Sequence, residues 1–155
     1  MTEKPKLTIK KPLSIEKQSQ LFEALKPLQA HTQREKEIKQ KKKKAIKEAL
    51  TWLYEHFPNS FNINNIKRLK LHIDKDIYPY LEQEGSPSKI KIRVTLKYYT
   101  HNIDYIKSLI NGTQRYDLKG QQIEEITQKQ KDFARDKLEE ISNVIKAIKQ
   151  RKLQE

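Results

Sequence analysis

From Ala45 onward the apolar residues fall at helical intervals. Ala45, Ile46, Ala49, Leu50, Trp52, Leu53 and Phe57 form one run, which Pro58 closes. On this pattern Trp52 and Phe57 read as core side chains rather than stacking platforms. Upstream, Ser14 suits the cap of a short helix in which Ile15, Leu21, Phe22 and Leu25 share a side, and Pro27 is expected to interrupt it. From about Leu28 the pattern predicts a helix that is polar all round and so not packed along its length. Downstream, Phe61 and Ile63 are expected to anchor a loop. Residues 67–73 alternate, with Leu69, Leu71 and Ile73 on one side and Arg68, Lys70 and His72 on the other. This predicts a half-buried strand or extended segment with a basic outer face.

Asp76 is the expected cap of a short helix over residues 77–84, with Pro79 in its first turn. Ser86-Pro87 announces the next helix, with Ile92, Leu96, Tyr99 and Ile103 as its buried stripe. Helical structure continues over residues 105–110 and ends at Asn111-Gly112. Residues 114–118 and 121–124 pair as a hairpin across Lys119-Gly120. Thr127 and Gln130 form a capping box. It opens a last helix carrying Phe133, Leu138, Ile141, Ile145 and Ile148, expected to pack over the domain and fray near Arg151. The fold class is α+β: a mainly helical domain over residues 45–150 with one small β-hairpin. A lysine-rich extension, residues 1–44, precedes it, partly helical or disordered, with the first 13 residues expected to be disordered.

Charge adds a partner to this picture. The chain of 155 residues has a formal net charge of +13, which points to an acidic partner, nucleic acid ahead of membrane. Residues 1–47 carry 14 basic and 5 acidic side chains, and residues 48–155 carry 19 and 15, so the balances are +9 and +4. Most of the excess thus lies in the first third. Lys41, Lys42, Lys43 and Lys44 read either as a solvated run or as a non-specific phosphate contact, which adds affinity and salt dependence without base specificity. No apolar run approaches the roughly 18–20 residues of a membrane span. No cysteine is present, and nothing at the N-terminus resembles a signal peptide. The expectation is a cytoplasmic, monomeric protein.

Candidate catalytic chemistry is sparse. The histidines at 31, 56, 72 and 101 lack zinc-site spacing, and three glycines cannot build a phosphate-cradling loop. Asp74 and Asp76 read as helix-capping residues before they read as a magnesium pair. No cofactor and no enzyme is expected. Binding chemistry gathers instead in residues 86–120. Lys89, Arg93 and Lys97, spaced i, i+4, i+8, stack three cations along one helical face, suited to a row of phosphates. The helix start near Ser88 offers amides to another phosphate. Tyr105 and Arg115 follow, an aromatic ring and a cation of the kind that holds a single-stranded RNA end.

These residues carry a resemblance. Lys70 in LKLHIDKDI, the pattern SK-x-x-x-R-x-x-x-K-x-YT over residues 88–100, Tyr105, NG-x-x-RYDL-x-G over residues 111–120, and EALTWLYEHFPNSF upstream resemble the RNA-binding domain of the ProQ/FinO family of bacterial RNA chaperones over about residues 45–140. The resemblance implies a mainly helical FinO-like domain. It also implies an RNA chaperone acting on small RNAs and mRNA 3′ ends, and a preference for terminator-like hairpins with a single-stranded 3′ U-rich tail. By position it assigns Lys70, Lys89, Arg93 and Lys97 to phosphates, and Tyr105 and Arg115 to the 3′-terminal nucleotides. Ser88 and the lysines at 41–44 are auxiliary contacts. Asp104 departs from the family pattern, standing beside Tyr105 where relatives often carry a basic residue. There it is expected to weaken the field inside the site. The competing class is a protein-interaction adaptor that offers its helical and basic surfaces to an acidic protein.

Overall fold

The computed structural model describes residues 14–154; the expectation for the first 13 residues lies outside them. The order is α1 (Ile15–His56), α2 (Ile73–Ile77), a 3-10 turn (Tyr78–Glu82), α3 (Lys89–Thr100), α4 (Ile103–Asn111), β1 (Gln114–Tyr116), β2 (Gln122–Glu125) and α5 (Gln128–Lys152). A mainly helical chain with one antiparallel hairpin is what the sequence predicts. The chain divides into two units, residues 1–43 and residues 44–155.

In the first unit, α1 does not stop at Pro27. Proline removes one N–H from the ladder, but the Gln, Glu, Lys and Ala residues on either side favour helix strongly enough to carry it through. Leu21, Phe22, Leu25 and Leu28 are exposed on this stretch.

The second unit holds the core. Ala49, Leu53 and Phe57 of α1 bury against Phe61, Leu69, Ile73, Ile77, Ile92, Tyr99 and Tyr105. Trp52 stacks on His56 at 4.2 Å and meets Phe57 edge-on at 5.8 Å. Phe61 anchors its loop as expected, whereas Ile63 is exposed. Ser60 is buried because its hydroxyl donates to the Asp117 carbonyl, tying that loop to the hairpin.

The alternation at residues 67–73 does not make a strand. Only Leu69 pairs, in a single parallel bridge to Tyr116, through Lys70 N–H to the Tyr116 carbonyl at 2.9 Å and Tyr116 N–H to the Arg68 carbonyl at 2.7 Å. His72 then takes φ 59°, the one positive φ outside glycine among the described residues. The chain reverses there, Leu71 turns outward and Ile73 opens α2. The cap of this helix is therefore His72, with no side-chain bond, and Asp74 and Asp76 lie in its first turn. Arg68 is not part of a basic outer face either. Its Nε donates to the Gln114 carbonyl at 2.8 Å and its Nη1 to the Ser108 carbonyl at 3.3 Å.

Gly112 makes room for that guanidinium, since a Cβ there would lie 2.3 Å from Arg68 Nε. Gly112→Ala must displace the half-buried Arg68 guanidinium and break its bonds to those two carbonyls. We expect a loss of about 2 kcal/mol, measured by urea unfolding; an unchanged midpoint would disprove the packing role.

The hairpin pairs Arg115 with Glu124 and Tyr116 with Gln122, with an irregularity between Arg115 and Tyr116. Asp117 Oδ1 accepts from Lys119 N–H and Gln121 N–H, and Gly120 supplies φ 80° for the turn. Thr127 and Gln130 form the predicted capping box of α5. Ala134 is buried and Leu138 and Ile141 are half-buried. Phe133, expected to pack inward, is 70% exposed.

Candidate functional site

The helix that carries the cation row begins two residues later than Ser86 suggests. Ser88 is the cap, its hydroxyl accepting from Lys91 N–H at 3.3 Å. Ile92, Thr95 and Tyr99 bury the inner face of α3, which fixes the edge on which Lys89, Arg93 and Lys97 stand exposed. Beside that edge lies a cavity of about 320 Å³, and its lining includes Lys70, His72, Arg93, Lys97, Tyr105 and Arg115. Five of the six residues singled out from the sequence thus share one concavity.

Lys89 is the sixth and lies outside it. Its Nζ sits 5.3 Å from the centre of the Tyr78 ring, and the Arg93 guanidinium lies 5.7 Å from the same ring. Tyr78 organises this end of the row. Its hydroxyl donates to Asp74 Oδ2 at 2.8 Å and accepts from Arg93 Nε at 2.7 Å. Arg93 is therefore held by one edge, and its two terminal nitrogens remain for a ligand. Sequence reading missed Tyr78, although Asp74 and Tyr78 stand one helical turn apart. Lys70 is held in turn by Asp76, Nζ to Oδ2 at 2.8 Å, and that hydrogen bond raises the lysine pKa. An anion reaching Lys70 must share it with Asp76.

Tyr105 and Arg115 are buried, unlike the cations on α3. Tyr105 is 3% exposed and Arg115 7%. The Tyr105 ring meets Tyr99 edge-on at 5.7 Å, so its faces are not an open stacking platform. The Tyr105 hydroxyl accepts from Leu69 N–H at 3.1 Å, and Arg115 Nη1 donates to the Leu69 carbonyl at 2.9 Å. The two residues clamp both backbone groups of Leu69 and so fix the turn that presents Lys70 and His72. Arg115 Nη2 also reaches Gln130 Oε1 at 3.3 Å, joining this turn to the start of α5, while its Nε finds no acceptor among the described residues. Burial pushes the Tyr105 hydroxyl above its ordinary pKa.

Asp104 does not line the cavity. It lies exposed in the first turn of α4, its N–H bonded to Asn102 Oδ1 at 3.0 Å. A carboxylate there complements the helix dipole. One residue further on is a rotation of about 100°, and this takes Tyr105 inward. The lysines at 41–44 are exposed on α1. Among the described residues no helix is long and apolar enough to cross a membrane, and no cluster of His, Cys, Asp or Glu has the makings of a metal site.

The arrangement suits polyanion binding: four cations around a concavity bordered by one carboxylate, Asp74. The chain is 35% identical over 95 residues to an RNA chaperone ProQ of Idiomarina loihiensis, covering 61% of this chain and 46% of that protein. It is 38% identical over 95 residues to the RNA chaperone ProQ of Pseudoalteromonas atlantica, covering 61% and 44%. The chain thus spans about half the length of the curated relatives it matches. Among solved structures, a ProQ homolog from Legionella pneumophila superposes with TM-score 0.52 at 31% identity, over 59% of this chain and 79% of that one. A FinO-like RNA chaperone from Neisseria meningitidis shares the fold with TM-score 0.51 at 23% identity, over 64% and 80%. The profile of the ProQ/FINO family matches residues 43–152, and the chain belongs to that family.

Proposed function

We propose that this protein is an RNA chaperone that binds a hairpin at its base and takes up the single strand at its 3′ end. The observation that carries this reading is the shared cavity: Lys70, Arg93, Lys97 and Arg115 border one concavity beside an exposed cationic helix edge. Lys89, Arg93 and Lys97 follow the phosphates of a duplex, and the cavity receives the strand that leaves it. Tyr105 and Arg115 act mainly by holding the turn at Leu69 in place. The lysines at 41–44 add sequence-independent attraction. The substrates are small RNAs and mRNA 3′ ends bearing terminator-like hairpins with U-rich tails.

The test compares a GC-rich hairpin with a free 3′ U tail against the same hairpin cut blunt, in competition at physiological salt. The tailed form is expected to win by about tenfold or more, the scale of a few phosphate and stacking contacts. Equal competition would remove the tail from the account. One observation favours an added protein contact elsewhere: Leu21, Phe22, Leu25 and Leu28 are exposed together on α1. An apolar patch on an otherwise polar helix suits a protein partner.

A further inference from the structure

A second cavity, of about 600 Å³, opens between α4, α5 and the outward-turned Leu71. That volume falls in the usual range of ligand pockets, about 300–1,000 Å³. Its inner wall is apolar, with Tyr105, Ile106, Leu109 and Ala134 buried or half-buried. Its outer wall is Phe133, 70% exposed, and Leu71, 46% exposed. On α5 the order Lys129, Phe133, Lys137 has spacing i, i+4, i+8, so a large exposed ring stands in one row between two ammonium groups. Thr100, His101, Arg115 and Gln130 complete the polar part of the lining, and among the described residues that lining includes no carboxylate. Lys137 pairs with Glu140 at 2.9 Å, an exposed contact that is easily exchanged.

This cavity adjoins the one beside α3: Leu71, Thr100, Tyr105 and Arg115 line both. An apolar floor with an open aromatic face, flanked by cations and with no carboxylate in its lining, matches one chemistry closely. A nucleobase stacks on the ring while its two flanking phosphates meet the ammonium groups. An acidic protein segment would use the cations and leave the ring idle, and an apolar helix would leave the cations idle.

We infer that Phe133, with Lys129 and Lys137, forms a second nucleotide subsite, which takes a base of the single-stranded RNA tail next to the nucleotide held beside α3. The inference rests on the tail-binding reading given above and extends it by one named platform. Because every base has a π face, the subsite selects for single-stranded length and not for base identity.

The experiment uses the full chain and a hairpin whose 3′ tail is lengthened one nucleotide at a time. Wild-type affinity is expected to climb with each nucleotide until both cavities are filled. Phe133→Ala is expected to bind the blunt and shortest-tailed hairpins as wild type does, and to lose about tenfold on the longer tails. Phe133→Trp keeps the full climb. Phe133→Leu, which keeps apolar bulk without a ring, behaves as Phe133→Ala does. An identical climb for Phe133→Ala and wild type overturns the subsite and leaves tail binding beside α3 standing. An equal loss on the blunt hairpin also overturns it, because the residue then acts on the whole surface. A wild-type protein indifferent to tail length removes the tail-binding reading and the subsite together. Phe133 is exposed, so its replacement leaves the core packing intact, and the thermal midpoint of each variant checks it.

Discussion

Tyr105→Ala is expected to destabilise the domain by about 3–5 kcal/mol, the scale for deleting a buried aromatic side chain. Against a typical domain stability of about 5–15 kcal/mol, that is enough to populate unfolded chain at ordinary temperatures. The cause is twofold. The ring fills the core against Tyr99, and its hydroxyl is the acceptor for Leu69 N–H. Tyr105→Phe separates the two, keeping the ring and orphaning that buried amide, at a cost of about 1–3 kcal/mol. Urea unfolding of both variants measures the difference, and a Tyr105→Ala protein as stable as wild type would refute the clamp. Alkaline titration gives an independent reading. Burial raises the hydroxyl pKa of Tyr99 and Tyr105 in the folded state. A group so raised contributes stability that is complete below the unfolded value, about 10, and is lost as pH rises above it. A loss of RNA binding in Tyr105→Ala would therefore report on folding before it reports on contact.

The second large effect separates binding from folding. Arg93 and Lys97 are exposed on α3, and neither holds the core. Replacing both by Ala is expected to leave the thermal midpoint within a few degrees. It should weaken binding to the tailed hairpin by about a hundredfold at low salt, at about 1.4 kcal/mol for each lost charge-assisted contact. The slope of log affinity against log salt should fall by about 2, one for each phosphate no longer neutralised. Thinning the lysines at 41–44 should also lower the slope while leaving the preference for a tail intact. If the α3 double variant keeps wild-type affinity and slope, the cation row is not the duplex contact.

What the sequence makes legible here is local. The cation row on α3, the capping box at Thr127, the helix end at Gly112 and the hairpin turn each depend on residues within a few positions of one another, and all are present. The misses have a shared cause, which is tertiary context. Alternation at residues 67–73 resembles a strand, yet one left-handed residue, His72, reverses the chain after a single bridge. Pro27 looks like a stop and is bypassed. For Tyr105 and Arg115, which do line the cavity, nothing near them in sequence says that each also bonds the backbone of Leu69, 36 and 46 positions away. Asp104 looks misplaced until helix geometry turns it away from the residue next to it. Tyr78 is a missed member with a visible signal, its one-turn spacing from Asp74. The row Lys129, Phe133, Lys137 was equally visible, but it carries meaning only once Phe133 is found outside the core.

In the function proposed above, the strand end enters the cavities bordered by residues 69–74 and α3, and the lysine-rich part of α1 serves for attraction alone. Photocrosslinking tests it most directly. A tailed hairpin carrying 4-thiouridine at its 3′ terminus is bound to the full chain, irradiated, and the attached peptides are mapped by mass spectrometry. Attachment is expected within residues 69–74, 93–115 or 129–137, the segments that contribute the lining of the two adjoining cavities. Attachment confined to residues 28–47 would contradict it.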